Sequence, residues 1–121
     1  MDDKLYHYRG EVTNVVDGDT VDIMFDLGLN IFVKQRIRLY GIDTPEIFGL
    51  RKESEEYQRG IEAKEFVSER VLNKRVWIKT HKDKTGKYGR YLADIFIQDE
   101  NGKHASVGKL LLEEGLAKEY E

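Results

Sequence analysis

Arg38-Leu39-Tyr40-Gly41-Ile42-Asp43-Thr44-Pro45-Glu46 decides how the rest of this chain is read. It closes a run of alternating residues, and it gathers one guanidinium, two carboxylates and the only proline of the chain in nine positions. From Ile31 to Tyr40, Val33, Ile37 and Leu39 point one way and Lys34, Arg36 and Arg38 the other, which is a half-buried strand. That alternation puts Arg38 outside the core, on an exposed basic stripe. Past Gly41 the period is lost as far as Glu56, and a charged loop is expected there.

Working upstream, Thr20 to Phe25 alternates in the same way, with Val21, Ile23 and Phe25 on one face. Tyr6 to Val16 reads as a first strand. Asp17-Gly18-Asp19 is a tight turn between the two, as Asp and Gly favour, and Asp26 to Asn30 is another.

Downstream, a helix is expected from about Tyr57 to Asn73. Ala63, Phe66, Val67 and Val71 recur at steps of three and four, with Glu62, Glu65 and Glu69 on the wet side. Val76-Trp77-Ile78 opens a fourth strand, His81 to Gly86 reads as a charged turn, and Tyr88 to Ile97 as a fifth strand. Asn101-Gly102 suits a hairpin turn. Ser106 is a plausible N-cap for a short helix whose apolar face is Val107, Leu110 and Leu111, with Gly115 to stop it.

Three meandering strands, a helix, two strands and a short helix fit a mainly β chain with helices. The architecture is a five-stranded OB-fold barrel, with one helix between the third and fourth strands and a short helix at the C-terminus. Strands that alternate exclude a doubly wound parallel sheet, whose strands are apolar on both faces. No linker or repeat divides the 121 residues, so a single domain, 1–121, is expected.

Composition narrows the chemistry. With no cysteine there are neither disulfides nor zinc–thiolate sites. His7, His81 and His104 share no metal-ligand spacing, and no phosphate loop or nucleophile elbow is present. No apolar run approaches the roughly 20 residues of a membrane span, so no membrane partner is expected. The acidic start Met1-Asp2-Asp3-Lys4 does not read as a signal peptide. The expectation is a protein of the cell interior if this is the whole chain, and a secreted one if a leader has been removed. The net charge of −3 argues against strong non-specific affinity for a polyanion; such binding would need a local basic surface.

Asp17, Asp19 and Asp43 all lie at strand ends. Carboxylates that converge there, with a backbone carbonyl and water, make an oxygen-only site that suits Ca²⁺ better than Mg²⁺. Arg38 and Arg90 suit a phosphodiester, because a guanidinium fork matches phosphate oxygens and stays charged. Glu46, held on a loop stiffened by Pro45, is placed to act as a general base toward water. Singly, each has a plainer reading as turn chemistry or a solvated side chain. The run Lys79, Lys82, Lys84, Lys87 and Arg90 carries five bases against Asp83 and ends in Tyr88-Gly89-Arg90, a basic rim with an aromatic.

Taken in order, Val15-Val16-Asp17-Gly18-Asp19-Thr20, Arg38 to Glu46, Lys87-Tyr88-Gly89-Arg90-Tyr91-Leu92-Ala93 and Glu114-Gly115-Leu116-Ala117 resemble the staphylococcal nuclease (thermonuclease) family. The resemblance runs from about Val12 to Lys118. It implies an OB-fold barrel that cleaves DNA and RNA using Ca²⁺. By position it implies carboxylate ligands Asp19 and Asp43, with Thr44 ligating through its carbonyl. It implies phosphate clamps Arg38 and Arg90, a general base Glu46, and contacts from Lys87 and Tyr88 to a terminal phosphate. It further implies in-line attack by water, departure of the 5′-oxygen and products with 3′-phosphates, at low sequence specificity. The expected substrate is DNA or RNA, preferably single-stranded, and the expected state a monomer. Several features depart from the pattern: the chain is slightly acidic, it ends at Glu121 where fuller members carry a further helix, Tyr120 lies close to but not securely at the position of a pocket tyrosine and is left out of the site, and Gly86 stands where an Asp usually precedes Lys-Tyr-Gly-Arg. The rival reading is a non-catalytic OB module of the same family that binds nucleic acid or a protein.

Overall fold

A computed structural model describes residues 5–47, 51, 53–85 and 91–120, the side chains of 82–85 excepted. Its strands are β1 (His7–Asp17), β2 (Thr20–Asp26), β3 (Phe32–Leu39), β4 (Ile42–Asp43), β5 (Arg75–Thr85), β6 (Tyr91–Gln98), β7 (His104–Ser106) and β8 (Lys118–Glu119). The helices are α1 (Glu55–Val71) and α2 (Val107–Glu113).

β1, β2 and β3 form an antiparallel meander, and β5 pairs with both β1 and β6. The sheet closes where Ile37, Arg38 and Leu39 of β3 run parallel to Tyr91, Leu92 and Ala93 of β6. The result is a closed five-stranded OB-fold barrel with two helices, as the pattern of strands predicts. Closure removes the open edges that a flat sheet of this size would present. Val12, Val21, Ile23, Ile37, Val76, Ile78 and Ile95 fill the inside, all essentially without solvent contact.

α1 packs on the barrel through Gly60, Ala63, Val67 and Val71; of the expected stripe, Ala63, Val67 and Val71 are buried and Phe66 is partly buried. It begins at Glu55 rather than Tyr57. The Ser54 hydroxyl accepts the Tyr57 N–H at 3.1 Å, and Glu55 and Glu56 favour the positive end of the helix dipole. None of these three residues is apolar, so a search for apolar period starts too late. The helix ends at Val71, and Asn73 turns the chain with φ +61 while its N–H donates to the Val12 carbonyl. α2 is capped by Ser106, as expected, and stopped at Gly115 with φ +71. Asn101-Gly102 turns β6 into β7.

Three expectations are corrected. His81 to Thr85 is not a turn but the continuation of β5; pairing with β6 overrides the local charge. Gly86 lies outside the described residues. The loop after Gly41 contains β4, two residues that pair with β8 near the C-terminus. Arg38 is not on an exposed stripe: only 9% of it meets solvent, whereas Lys34 and Arg36 on the same face are exposed. Among the described residues no helix is long and apolar enough to cross a membrane.

Asp22 on β2 shows how this outer face is balanced. Arg36 Nε donates to its Oδ1 at 2.8 Å and Arg36 Nη2 to its Oδ2 at 3.2 Å. These bonds hold the Asp22 carboxyl below its ordinary value against the opposing effect of burial. A carboxyl lowered in the fold stabilises above its unfolded pKa and loses that contribution as pH falls through the folded one. The Arg36 side chain is 53% exposed, so solvent screens the pair. Arg36→Gln is therefore expected to cost about 0.5–1 kcal/mol at neutral pH. Urea melts of both proteins should converge in acid below the ordinary carboxylate range; a gap that persists there would assign the cost to packing.

Candidate active site

Barrel closure sets the register that builds the site. Arg38 lies opposite Thr20 of β2 on one side and Leu92 of β6 on the other. The Leu39 N–H donates to the Asp19 carbonyl at 2.8 Å, which ties the end of β3 to the turn after β1. The chain then turns at Gly41, with φ +80, and returns along β4 to bring Asp43 and Thr44 back beside Arg38.

Four residues named from the sequence meet here. Arg38 Nη2 donates to Asp43 Oδ1 at 3.2 Å and stands 3.6 Å from Asp19 Oδ2. The Thr44 N–H donates to Asp19 Oδ2 at 3.1 Å, and the Thr20 hydroxyl donates to Asp19 Oδ1 at 3.0 Å. Asp19, Thr20, Arg38 and Thr44 are buried, while the Asp43 side chain is one-third exposed. Asp43 is thus the open edge of the cluster. A buried guanidinium shared by two carboxylates also explains why Arg38 leaves the solvent stripe that alternation assigns it.

Close approach makes this convergence possible. A Cβ on Gly18 would lie 2.7 Å from Ala63 Cβ of α1 and 3.0 Å from the Thr44 side chain. Gly18 is therefore required for contact rather than for a positive φ. A Cβ on Gly60 would collide with Ile47 and lie 2.8 Å from the Pro45 carbonyl oxygen. Two glycines and an alanine let the acidic turn, α1 and the Asp43–Ile47 segment pack together.

The electrostatics follow from crowding. Burial, then the hydrogen bond to Asp19 and its charge, push the Asp17 carboxyl up to about 7. Burial acts on Asp19 too. There the hydrogen bond from Asp17, the Thr44 N–H and the Arg38 charge outweigh it and hold the carboxyl below its ordinary value. Asp19 is the more acidic carboxyl of the pair and Asp17 the less acidic.

Glu46 does not join the buried cluster. It is exposed and lines an adjoining cleft of about 400 Å³, together with Asp43, Thr44, Glu62 and Lys118. Arg90, Lys87 and Tyr88 lie outside the described residues. Tyr120 was not among the sequence candidates, yet its ring sits 4.9 Å from the Arg38 guanidinium and its N–H donates to the Gly41 carbonyl at 2.9 Å. The chain reaches this position by way of β8, which pairs with β4.

The donor set suits a hard divalent cation. Asp19 and Asp43 offer carboxylate oxygens and Thr44 a carbonyl, with no nitrogen or sulfur ligand. Among the described residues no group of three or more His, Cys, Asp or Glu side chains is arranged to hold a metal, so two carboxylates would be the limit here.

Removing Arg38 leaves two crowded acids without their counter-charge. Arg38→Gln is expected to cost about 1–3 kcal/mol. In a double-mutant cycle with Asp43→Asn the two substitutions should couple by about 1 kcal/mol; additive losses in urea melts would mean the pair is not formed.

Comparison with known proteins places the chain in a family. The family described as staphylococcal nuclease homologue matches residues 36–121, which include Arg38 and the Asp43–Glu46 segment. The chain is 37% identical to a thermonuclease of Staphylococcus intermedius over 76% of its own length, and 31% identical to a thermonuclease of Staphylococcus hyicus over 90%. It is also 37% identical, over 94% of its length, to an uncharacterised protein of Methanocaldococcus jannaschii. The aligned parts cover 52%, 54% and 60% of those relatives, so the chain spans little more than half of each. With the match extending over most of the chain and the strand-end cluster inside a closed barrel, the chain belongs to the staphylococcal nuclease family.

Proposed function

We propose that this protein is a Ca²⁺-dependent nuclease that hydrolyses phosphodiester bonds of DNA or RNA with little sequence specificity. The observation that carries this reading is the meeting of Asp19, Arg38, Asp43 and Thr44 beside an open cleft. The similarity to proteins named thermonuclease supports it.

The chain's own groups divide the work. Asp19, Asp43 and the Thr44 carbonyl would hold Ca²⁺, which supplies charge to offset the phosphoryl oxygens. Arg38 donates its guanidinium hydrogens to those oxygens as negative charge builds in the transition state. Arg90 is assigned the same task. Glu46 takes a proton from the attacking water as its oxygen bonds to phosphorus. The bond to the 5′-oxygen breaks, that oxygen takes a proton from solvent water as it leaves, and the 3′-oxygen keeps the phosphate. Lys87 and Tyr88 are assigned to the terminal phosphate of the substrate. Five acids line or border the cleft, namely Asp43, Glu46, Glu56, Glu62 and Glu114, against Arg59 and Lys118. A cation is needed before a polyanion can settle there. A single strand is the favoured substrate, because so small a cleft leaves no room for a duplex, and the protein acts as a monomer in one domain.

Heat-denatured DNA should release acid-soluble nucleotides with Ca²⁺ and none with EGTA. Protein of verified purity that releases none in either condition, while still binding the strand, would favour the non-catalytic module. Glu46→Gln should lower turnover by orders of magnitude with an unchanged melting temperature. A loss within tenfold, about 1.4 kcal/mol of barrier, would remove Glu46 from the role of base.

A further inference from the structure

A second cleft lies where α1 ends, away from the acids of the candidate site. It is lined by Arg9 of β1, Arg70 near the end of α1, Lys74, and Arg75 and Trp77 of β5, with the β6–β7 turn on its border. Arg9 and Asp17 sit near opposite ends of β1, about 25 Å apart along an extended strand. The cleft is therefore no part of the Asp19–Arg38 cluster.

Its cations are held in an unusual way. The Arg9 guanidinium lies over the Trp77 ring, 4.0 Å from the centroid, and His104 packs against the same indole at 4.4 Å with the planes 34° apart. Among the described residues Arg9 has neither an acid nor a hydrogen-bond partner, and its Nε is buried without one. A guanidinium positioned by an aromatic face, with its donors uncommitted, is set for an incoming acceptor. Lys74 Nζ reaches the Glu69 carbonyl, while Arg75 pairs only loosely with Asp26 at 3.6 Å, its side chain 57% exposed. Three acids, Glu69, Asp99 and Glu100, line the cleft against the four bases Arg9, Arg70, Lys74 and Arg75; Asp99 is committed to its own turn, where its Oδ1 accepts the N–H groups of Asn101 and Lys103.

We propose that this cleft is a second contact for single-stranded nucleic acid. The phosphodiester backbone pairs with Arg9, Lys74 and Arg75, and a base stacks on the exposed His104 beside Trp77. For the identity of the ligand the proposal rests on the nuclease reading above. The chain is acidic overall, so a strand that reaches the acid-lined catalytic rim gains its hold from a local basic surface elsewhere. Basic groups interleaved with aromatics are the sequence-tolerant means of holding one.

Trp77 is the only tryptophan of the chain, so its fluorescence reports on this cleft directly. A long oligothymidylate should quench Trp77, and a thymidine dinucleotide that reaches only the catalytic rim should not. Arg9→Gln with Lys74→Gln should weaken binding of the long strand about tenfold and lower its salt slope by about 1.4, from two lost phosphate contacts on a single strand. Dinucleotide cleavage should stay unchanged. The charge-keeping pair Arg9→Lys with Lys74→Arg should restore most of the affinity, which separates loss of charge from loss of fold. Unchanged affinity and salt slope in the Gln pair would overturn the proposal. So would a polyglutamate peptide that quenches Trp77 in competition with a strand that does not. Quenching and a reduced slope without any cleavage by the wild type would leave the cleft standing and remove the nuclease reading instead.

Discussion

One buried guanidinium organises the candidate site. Arg38 stands between Asp19 and Asp43, and each partner is delivered by a different piece of barrel geometry. The register of β2 against β3 brings Asp19, and the reversal through Gly41 into β4 brings Asp43. The parallel closure onto β6 holds Arg38 from the far side. A slip of one residue in β3 would turn Arg38 to the opposite face and dissolve the cluster. The candidate site thus depends on the same hydrogen bonds that close the fold.

Crowding of acids is the counterpart of this arrangement. Burial first, then the hydrogen bond to Asp19 and its charge, raises the Asp17 carboxyl to about 7. Such a cluster is stabilised by whatever positive charge can reach it, and Arg38 supplies one. Asp19 and Asp43 are also the carboxylates that would hold a divalent cation, which would supply further positive charge there. Tyr120 lies over the guanidinium from the outside and limits where it can move. The arrangement favours a site in which charge is positioned in advance and little has to reorganise.

Much of this was legible in the sequence because the signals are local. Alternation in Thr20–Phe25 and Ile31–Tyr40 gave the meander, and the stripe Ala63, Val67 and Val71 gave the helix face. Asp19, Asp43 and Arg38 could be singled out because acids and an arginine at strand ends suit a cation and a phosphate. Their distances could not, since they depend on pairing between residues far apart in the chain. The burial of Arg38 was missed because alternation knows nothing of partners brought in by β4. The extension of β5 beyond His81 was missed because its pairing with β6, not its composition, keeps it extended. Gly18 was read as turn chemistry, while its role is to let Ala63 and Thr44 approach. The cleft around Trp77 left no local signal at all; Arg9, Lys74 and His104 are neighbours only in the folded barrel.

The central claim is that Asp19 and Asp43 act together on one cation within reach of Arg38. A calcium titration followed by backbone and arginine side-chain amide resonances tests it most directly. Thr44 N–H, bonded to Asp19, and the Arg38 guanidinium should shift together and saturate at one equivalent, while Gly102 on the β6–β7 turn stays still. Saturable shifts confined to another part of the molecule, or none at all, would contradict the account.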